Sequence, residues 1–573
     1  MKSVPRSSSS PPTNDQSICA DCQEILIQPD EAAADTCRVT REGRTIVLSA
    51  ERGCPLCKAF VWRLHQRRSA VDSYWELSIG FEKRDDRPWR IVIKKTGENL
   101  SWPRAYELML LPTTYYSSPA QILNEISFQV DQIGPSPTQL ALPVLPSSTG
   151  DRRCMAQASA WFKECSENHK RCNQRFDIQT VETLPSRLLA VSPLKVKIVT
   201  TAHRSNSNVP VYMTVSHKWR SQMPKLLRCN VKKLERGVNV SELPQLFQDA
   251  FNLARAVQIP YVWIDALCII QDDETDKASE ISKMDHIYQN AVLNIGATGA
   301  ADAARPPADR DLVPDSMVRG KGESEMRDHS NIARSTDVPN KSLLRDEGRT
   351  NAERCDLPGF VTEHVQPHGL RQGLFADRDP LLYSPLAITV KTRGKEYNCI
   401  VYDSSHADDF YDSALFKRGW VLQERLLSPR SLFFGQQMVW ECSELVACET
   451  FPFGFPLSLM RYNVRLGKIL VECSEGSRQS AQYTAWREIV KAFTRCQLTY
   501  ELDCFPALSG LAHNFQASLQ DEYYAGLWKD DFIPGLCWFH AEQEFGRSRY
   551  PPFPGDYRGK FTVYNPASVP PLI

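Results

Sequence analysis

Between residues 193 and 300 the chain alternates short β-branched runs with amphipathic stretches, and this alternation limits the fold more than any other feature. VYMTVS (211–216) is apolar and β-branched and reads as a strand. From Ser241 onward, apolar residues fall at Leu243, Leu246, Phe247, Ala250, Phe251, Ala254 and Val257, which is helical spacing with one apolar face. Pro244 suits a first turn, and Pro260 blocks continuation. YVWIDALCII (261–270) then reads as a strand with apolar residues on both faces, as in a parallel sheet covered by helices. Ile281, Met284, Tyr288 and Ala291 mark a second amphipathic helix, and VLNIGAT (292–298) the next strand. Strand, helix, strand, helix, strand implies an α/β domain built on a parallel sheet. Ligands of such sheets bind beyond the carboxyl ends of the strands. SHKW (216–219), QDD (271–273) and GATGA (296–300) are therefore expected along one edge. Asp265 falls inside the expected strand, where a charged form needs a buried partner. Asp272 and Asp273 fall at the rim. They either face a ligand or, with Thr275, cap the helix expected near Asp276.

The chain has 573 residues, which implies two to four domains. Lys plus Arg and Asp plus Glu number 68 each. The balance gives no electrostatic reason for a nucleic-acid or anionic-membrane partner, and no basic helix supports a DNA-binding zinc-finger regulator. No apolar stretch approaches the roughly 20 residues of a membrane helix. The 18 cysteines are too dilute for a disulfide framework. A soluble, cytoplasmic protein with reduced thiols is the expectation.

Five regions are legible. Residues 1–17 form a polar, Ser/Pro-rich tail read as disordered. Residues 18–150 form an α+β region with strand-like RTIVLSA and WRIVIKK, ending in a Pro/Ser-rich linker at 135–150. Residues 151–192 read as a helical lead-in ending in LPSRLLAV, and 193–445 hold the α/β domain. Residues 301–370, polar and poor in large apolar side chains, read as a disordered insertion in that domain. Residues 446–573 read as mainly helical with a Pro-rich end.

Two cysteine pairs stand out. Cys19 with Cys22 and Cys54 with Cys57 are CxxC knuckles that can supply four thiolates to a structural zinc; the other reading is buried free thiols. Cys165, His169 and Cys172 fall at i, i+4 and i+7. With no fourth ligand evident, they read as a packed helix face. Cys268, in an apolar run, reads as a buried, inert thiol.

YMTVSHKW, LPQLFQDAFNLARAVQIPYVWIDALCIIQDD and SKMDHIYQNAVLNIGAT resemble, in order, the motifs of the fungal heterokaryon-incompatibility (HET) domain. So do WFKECSENHKRC and LPSRLLAV before them, and GLFADRDP, RGWVLQERLLSPRSLFF and WEC after. The chain departs from the pattern at Arg220, where Gly is usual, in the long 301–370 stretch, and in lacking a C-terminal Pro-Ser-Trp-Ser-Trp motif. The resemblance implies an effector of non-self recognition and programmed cell death. HET domains are in turn similar to Toll/interleukin-1 receptor (TIR) domains, some of which cleave NAD, so a TIR-like or flavodoxin-like fold is implied. TIR domains carry a Trp four residues before a helical Glu, and Trp420 and Glu424 have that spacing. Positions four apart share a helix face, so both are expected in one cleft. Glu424 would be the catalytic carboxylate. Ser216, His217, Trp219, Asp265, Asp272 and Trp420 would contact the nucleotide. Ser216 and His217 are adjacent, so their side chains diverge and make a poor nucleophile–base pair. The alternative is a non-catalytic module of the same fold that signals by self-association with an unidentified protein activator.

Overall fold

The computed structural model describes residues 18–26, 36–66, 76–84, 87–95, 106–112, 142, 144–173, 183–201, 209–220, 223–299, 373–392, 395–403, 410–455 and 479–537. The expected tail at 1–17, the expected insertion at 301–370 and the Pro-rich end lie outside them. The chain divides into one unit ending at Leu519 and a second beginning at Gln520.

In the first unit four strands come first: β1 (Thr36–Glu42), β2 (Glu76–Arg84), β3 (Arg87–Lys95) and β4 (Tyr106–Pro112). Next come β5 (Arg187–Val191), β6 (Lys195–Thr200), β7 (Tyr212–Ser216), β8 (Val238–Asn239), β9 (Tyr261–Trp263) and β10 (Leu293–Gly296). The last are β11 (Leu386–Thr392), β12 (Lys395–Asp403), β13 (Arg430–Phe434), β14 (Met438–Cys442) and β15 (Val446–Cys448).

These strands form a six-stranded sheet, β1-β2-β3-β4-β12-β11, and a nine-stranded sheet, β15-β14-β13-β10-β7-β9-β5-β6-β8. The six-stranded sheet is antiparallel throughout. The segment 386–403, expected inside the 193–445 domain, completes this N-terminal sheet instead: β12 pairs with β4 from Cys399↔Pro112 to Asp403↔Leu108. WRIVIKK lies in β3 as expected, but RTIVLSA is part of a helix, Gly43–Glu51. Gly43, Ile46 and Ala50 are its buried residues, at helical spacing, so packing overrides the strand preference of the β-branched run. The expected linker is also anchored: Thr149 is fully buried, its N–H donates to Ala376 O at 2.9 Å, and Arg378 N–H donates to Ser147 O at 2.9 Å.

The nine-stranded sheet corrects the expectation of a parallel sheet. Its centre, β9-β7-β10-β13, is parallel. On one side β5, β6 and β8 continue it antiparallel, and on the other β14 and β15 do. The molecule is thus mixed α/β with a mixed nine-stranded sheet. The helix Gln245–Ala256 leads into β9 and buries Leu246, Phe247, Ala250, Phe251 and Ala254, the face its spacing foretold, together with Asp249 and Leu253. Pro244 sits at its N-cap rather than inside the first turn. YVWIDALCII is not one strand: β9 stops at Trp263, and a short helix, Asp265–Cys268, follows. The second expected helix is two, Glu274–Ile281 and Met284–Asn290. From β7 the chain moves to β9 on one side and then returns to β10 on the other. The β7/β10 boundary is therefore the switch point at which doubly wound sheets open a crevice.

The helices Gly419–Leu427, Gln479–Phe493 and Pro506–Leu519 complete the first unit. The second unit contains β16 (Tyr523–Tyr524) and β17 (Leu527–Trp528), paired antiparallel, and the helix Phe532–Leu536. Its two-residue turn has positive φ at both Ala525 (48°) and Gly526 (98°), the conformation that matches strand twist in tight hairpins. Among the described residues, no helix is long and apolar enough to cross a membrane.

Candidate functional site

The parallel strands bring a row of polar residues into register across the sheet: Trp263 on β9, Thr214 on β7, Asn294 on β10 and Ser431 on β13. All four are buried. The Thr214 and Ser216 hydroxyls both donate to Asn294 Oδ1, at 3.0 and 3.2 Å. Trp263 Nε1, Asn294 Nδ2 and Ser431 Oγ have no hydrogen-bond partner among the described residues, and neither does Glu424 Oε2. Each buried polar atom left unpaired costs about 1–3 kcal/mol. Each of them favours a water or ligand group of its own within hydrogen-bond reach.

Glu424 comes from the helix Gly419–Leu427, which packs on the helix Met284–Asn290. It is 4% exposed. The Ser216 hydroxyl and the Tyr288 phenol stand beside its carboxyl. Burial pushes this carboxyl above the usual range; Asp265 adds to the shift and Arg418 opposes it. Burial, with Glu424 nearby, likewise holds the Tyr288 phenol well above its ordinary value. Tyr288 also packs edge-on against Trp263, with ring centroids 5.8 Å apart.

The turn after β7 supplies the rim. Arg418, at the N-cap of the glutamate's helix, donates through Nη1 to His217 O. His217 is buried, edge-on to Phe247, with Nε2 3.1 Å from Met223 Sδ and Nδ1 3.8 Å from Asp265 Oδ1. Burial lowers its pKa, so the imidazole is neutral at pH 7. Trp219 Nε1 donates to Asp265 Oδ2 at 2.6 Å, and Lys225 Nζ lies 5.5 Å from the centre of the Trp219 ring. Asp265, expected inside a strand, instead opens the short helix after β9, where its Oδ1 accepts from Ala266 N–H at 2.7 Å. Trp219, Asp265 and Arg418 are half-buried while Glu424 and Ser216 are buried, so a half-open polar rim adjoins a buried acid.

The structure therefore brings Ser216, His217, Trp219, Asp265 and Glu424 together. Two expected nucleotide contacts have other partners. Trp420 is half-buried and its Nε1 donates to Asp503 Oδ2 at 3.0 Å, in the 501–504 turn. Asp272 is exposed and accepts from Arg228 N–H at 2.9 Å; Asp273 caps the helix Glu274–Ile281 through Thr275 and Asp276 N–H. Sequence reading overlooked Asn294, Tyr288 and Ser431 as site residues. Asn294 carried a signal, as the one polar residue inside the strand Leu293–Gly296. Cys268 is fully buried, and burial pushes its thiol up to about 12, which fits the inert reading.

Two cysteine clusters can hold a metal such as zinc. Cys19, Cys22, Cys54 and Cys57 place their sulfurs within 4.8 Å of one another. Individual separations are 3.7 Å (Cys19–Cys57), 3.4 Å (Cys22–Cys57) and 3.9 Å (Cys22–Cys54). Tetrahedral zinc–thiolate bonds of about 2.3 Å set sulfurs roughly 3.8 Å apart, whereas a disulfide needs about 2.05 Å. The buried Arg41 directs Nη1 at Cys22 (3.6 Å) and Cys57 (3.5 Å) and Nη2 at Asp21 (2.5 Å). The second cluster joins Cys165, His169 and Cys172 to Cys442. The expected packed helix face is not what forms, because the helix ends at Asn168 and the chain turns at His169.

A parallel sheet with a buried acid beside its switch point, rimmed by an indole, a carboxylate and a guanidinium, defines an α/β module with a ligand-type site. Residues 212–424, from the start of β7 to the buried glutamate itself, match the family model described as Heterokaryon incompatibility protein (HET). No curated protein matches the chain, and no solved structure does.

Proposed function

We propose that this chain is an effector of fungal heterokaryon incompatibility that acts in the cytoplasm to trigger programmed cell death, and that its HET domain cleaves the nicotinamide–ribose bond of NAD in a TIR-like manner. The observation that carries this reading is the carboxyl of Glu424, buried beside Ser216 and Tyr288 with Oε2 unpaired among the described residues. In the reaction, the bond between ribose C1′ and the pyridinium nitrogen breaks and its electron pair leaves with nicotinamide, which becomes neutral. The ribosyl group gains oxocarbenium character, water adds to C1′, and the water's proton passes to solvent. The leaving group is neutral, so no general acid is required. Ionised Glu424 stabilises the developing positive charge in a site of low dielectric. On this reading Asp265 and Trp219 meet ribose hydroxyls and a base, and Lys218 and Arg220, beside Trp219 in sequence, meet the pyrophosphate. Cys19, Cys22, Cys54 and Cys57 serve as a structural zinc site supporting the N-terminal sheet.

The test is free nicotinamide released from NAD by the purified, deliberately oligomerised full chain. Glu424→Ala is expected to reduce release at least ~100-fold, the scale of losing one electrostatic stabiliser, with folding intact. Equal release by the variant removes the glutamate from the reaction. One observation favours the second reading, a non-catalytic self-associating module. Tyr500, Leu502 and Phe505 are 70%, 77% and 54% exposed within one short segment, next to the Asp503 that holds Trp420. On that reading Leu502→Glu abolishes the death response and Glu424→Ala leaves it unchanged.

A further inference from the structure

We propose that Cys165, His169, Cys172 and Cys442 form a second zinc site, which fastens the segment before the nine-stranded sheet to that sheet's antiparallel side. The four donors lie within 4.8 Å of one another. Cys442 Sγ is 3.3 Å and Cys172 Sγ 4.0 Å from His169 Nδ1. Tetrahedral zinc with bonds of about 2.3 Å to sulfur and 2.0–2.1 Å to nitrogen sets such pairs about 3.6 Å apart. Cys165 lies in the last turn of the helix Arg152–Asn168. His169 breaks that helix in an extended conformation (φ −85°, ψ 102°), and Cys172 follows in the short helix Lys170–Asn173. The break folds three donors inward. Cys442, the last residue of β14, supplies the fourth from far along the chain.

The surroundings are those of a thiolate site. Arg430 is 5% exposed, and its Nε donates to Cys165 Sγ at 3.1 Å. Its remaining partners are Asn173 Oδ1 and Val292 O, so among the described residues no carboxylate balances it. A buried guanidinium beside neutral thiols lacks a counter-charge. Three thiolates, a neutral imidazole and a dication carry one net negative charge, which Arg430 cancels. The Leu445 N–H donates to Cys442 Sγ at 3.2 Å, the outer hydrogen bond that steadies metal thiolates. The quartet at Cys19, Cys22, Cys54 and Cys57 has the same plan, with Arg41 in the place of Arg430. Four protein ligands leave no open position, so the site is structural rather than catalytic.

The experiment is elemental analysis of the full-length chain together with cobalt substitution. With both clusters loaded, the protein carries about two equivalents of zinc. His169→Ala and Cys442→Ser each lose one, and Cys22→Ser loses the other independently. If the N-terminal quartet holds no metal, the wild type carries one equivalent that His169→Ala removes and Cys22→Ser does not, which still supports the second site. His169→Cys keeps the zinc and shifts the visible cobalt bands from a three-sulfur, one-nitrogen pattern to a four-sulfur one. Arg430→Gln leaves the ligands in place and weakens zinc retention against a chelator by about 10–100-fold. Zinc content unchanged by His169→Ala and Cys442→Ser overturns the site. Should those variants not fold, thiol labelling of the wild type decides. Cys165, Cys172 and Cys442 becoming reactive together only after chelation supports the site, and reaction at the same rate before and after overturns it.

Discussion

Burial raises the Glu424 carboxyl above the usual carboxylate range, against the pull of Arg418, and this has a consequence for stability. The folded state then holds the proton more tightly than the unfolded chain does. The associated stabilisation is complete below the unfolded value, about 4.3 for Glu, and is lost as pH rises through the folded value. Glu424→Gln keeps the shape and cannot ionise. Urea unfolding of both proteins from acid to mildly alkaline pH should show the wild type falling behind the variant as pH rises. The gap reaches about 1.4 kcal/mol for each unit by which the folded value exceeds the unfolded one. Parallel curves would mean that the carboxyl titrates normally. His217 runs the other way, its stabilisation fading as pH falls, and it cancels from the comparison because both proteins carry it. If the chain cleaves NAD as proposed, with the carboxylate as the working form, cleavage rises over the same window in which the wild type loses stability. Of this environment the sequence made Glu424 and Ser216 visible, through a motif and a strand end. Tyr288 was legible only as an apolar position of a helix. Its part in the site depends on which helix packs over which strand, and spacing along the chain does not encode that.

The end of β10 shows how an element positions this chemistry. A Cβ on Gly296 would lie 2.1 Å from Phe433 Cδ1 and 2.5 Å from Cε1, so the Phe433 ring occupies the space a side chain would need. The close approach seats β10 between β7 and β13, with Ala297 N–H donating to Ser216 O at 3.0 Å. Gly296→Ala should cost about 1–3 kcal/mol as an overpacked core position, read as a lower urea midpoint, and should lower any activity that depends on Ser216. An unchanged midpoint would show that the Phe433 ring moves aside freely. The glycine was visible in VLNIGAT as a small residue at a strand end, and the strand itself was correctly expected. The failures have local causes. YVWIDALCII is apolar on both sides of Asp265, so periodicity could not show that Asp265 starts a helix by accepting from Ala266 N–H. RTIVLSA favours a strand residue by residue, yet three buried positions at helical spacing settle it as a helix.

Long-range pairing shaped the molecule in ways that adjacent residues could not reveal. LPSRLLAV looked like a separate lead-in, but β5 pairs with β9, and through β6 it extends the sheet beyond the parallel centre. The segment 386–403 looked like part of the same domain as its neighbours, but it completes a sheet begun by β1 to β4. Chain segments that pair across such distances depend on one another for covered edges. The family match, 212–424, includes β7, β9 and β10 but excludes β5 and β6 on one side and β13 to β15 on the other. It also includes β11 and β12 without β4, whose backbone groups bond β12 from Cys399 to Asp403. Cut to these limits, the domain exposes the edges of β9, β10 and β12 as rows of unpaired N–H and C=O groups, which recruit other chains. It also strips cover from Ile295 and Val262, both fully buried in the intact protein. The isolated 212–424 segment is therefore expected to aggregate, and the segment 18–519, which keeps every strand of both sheets, to remain monodisperse with a cooperative melt. Light scattering and thermal unfolding of the two segments side by side decide the matter. A soluble, cooperatively folded 212–424 would mean that the parallel strands and their helices suffice, and that the flanking strands serve a purpose other than covering them.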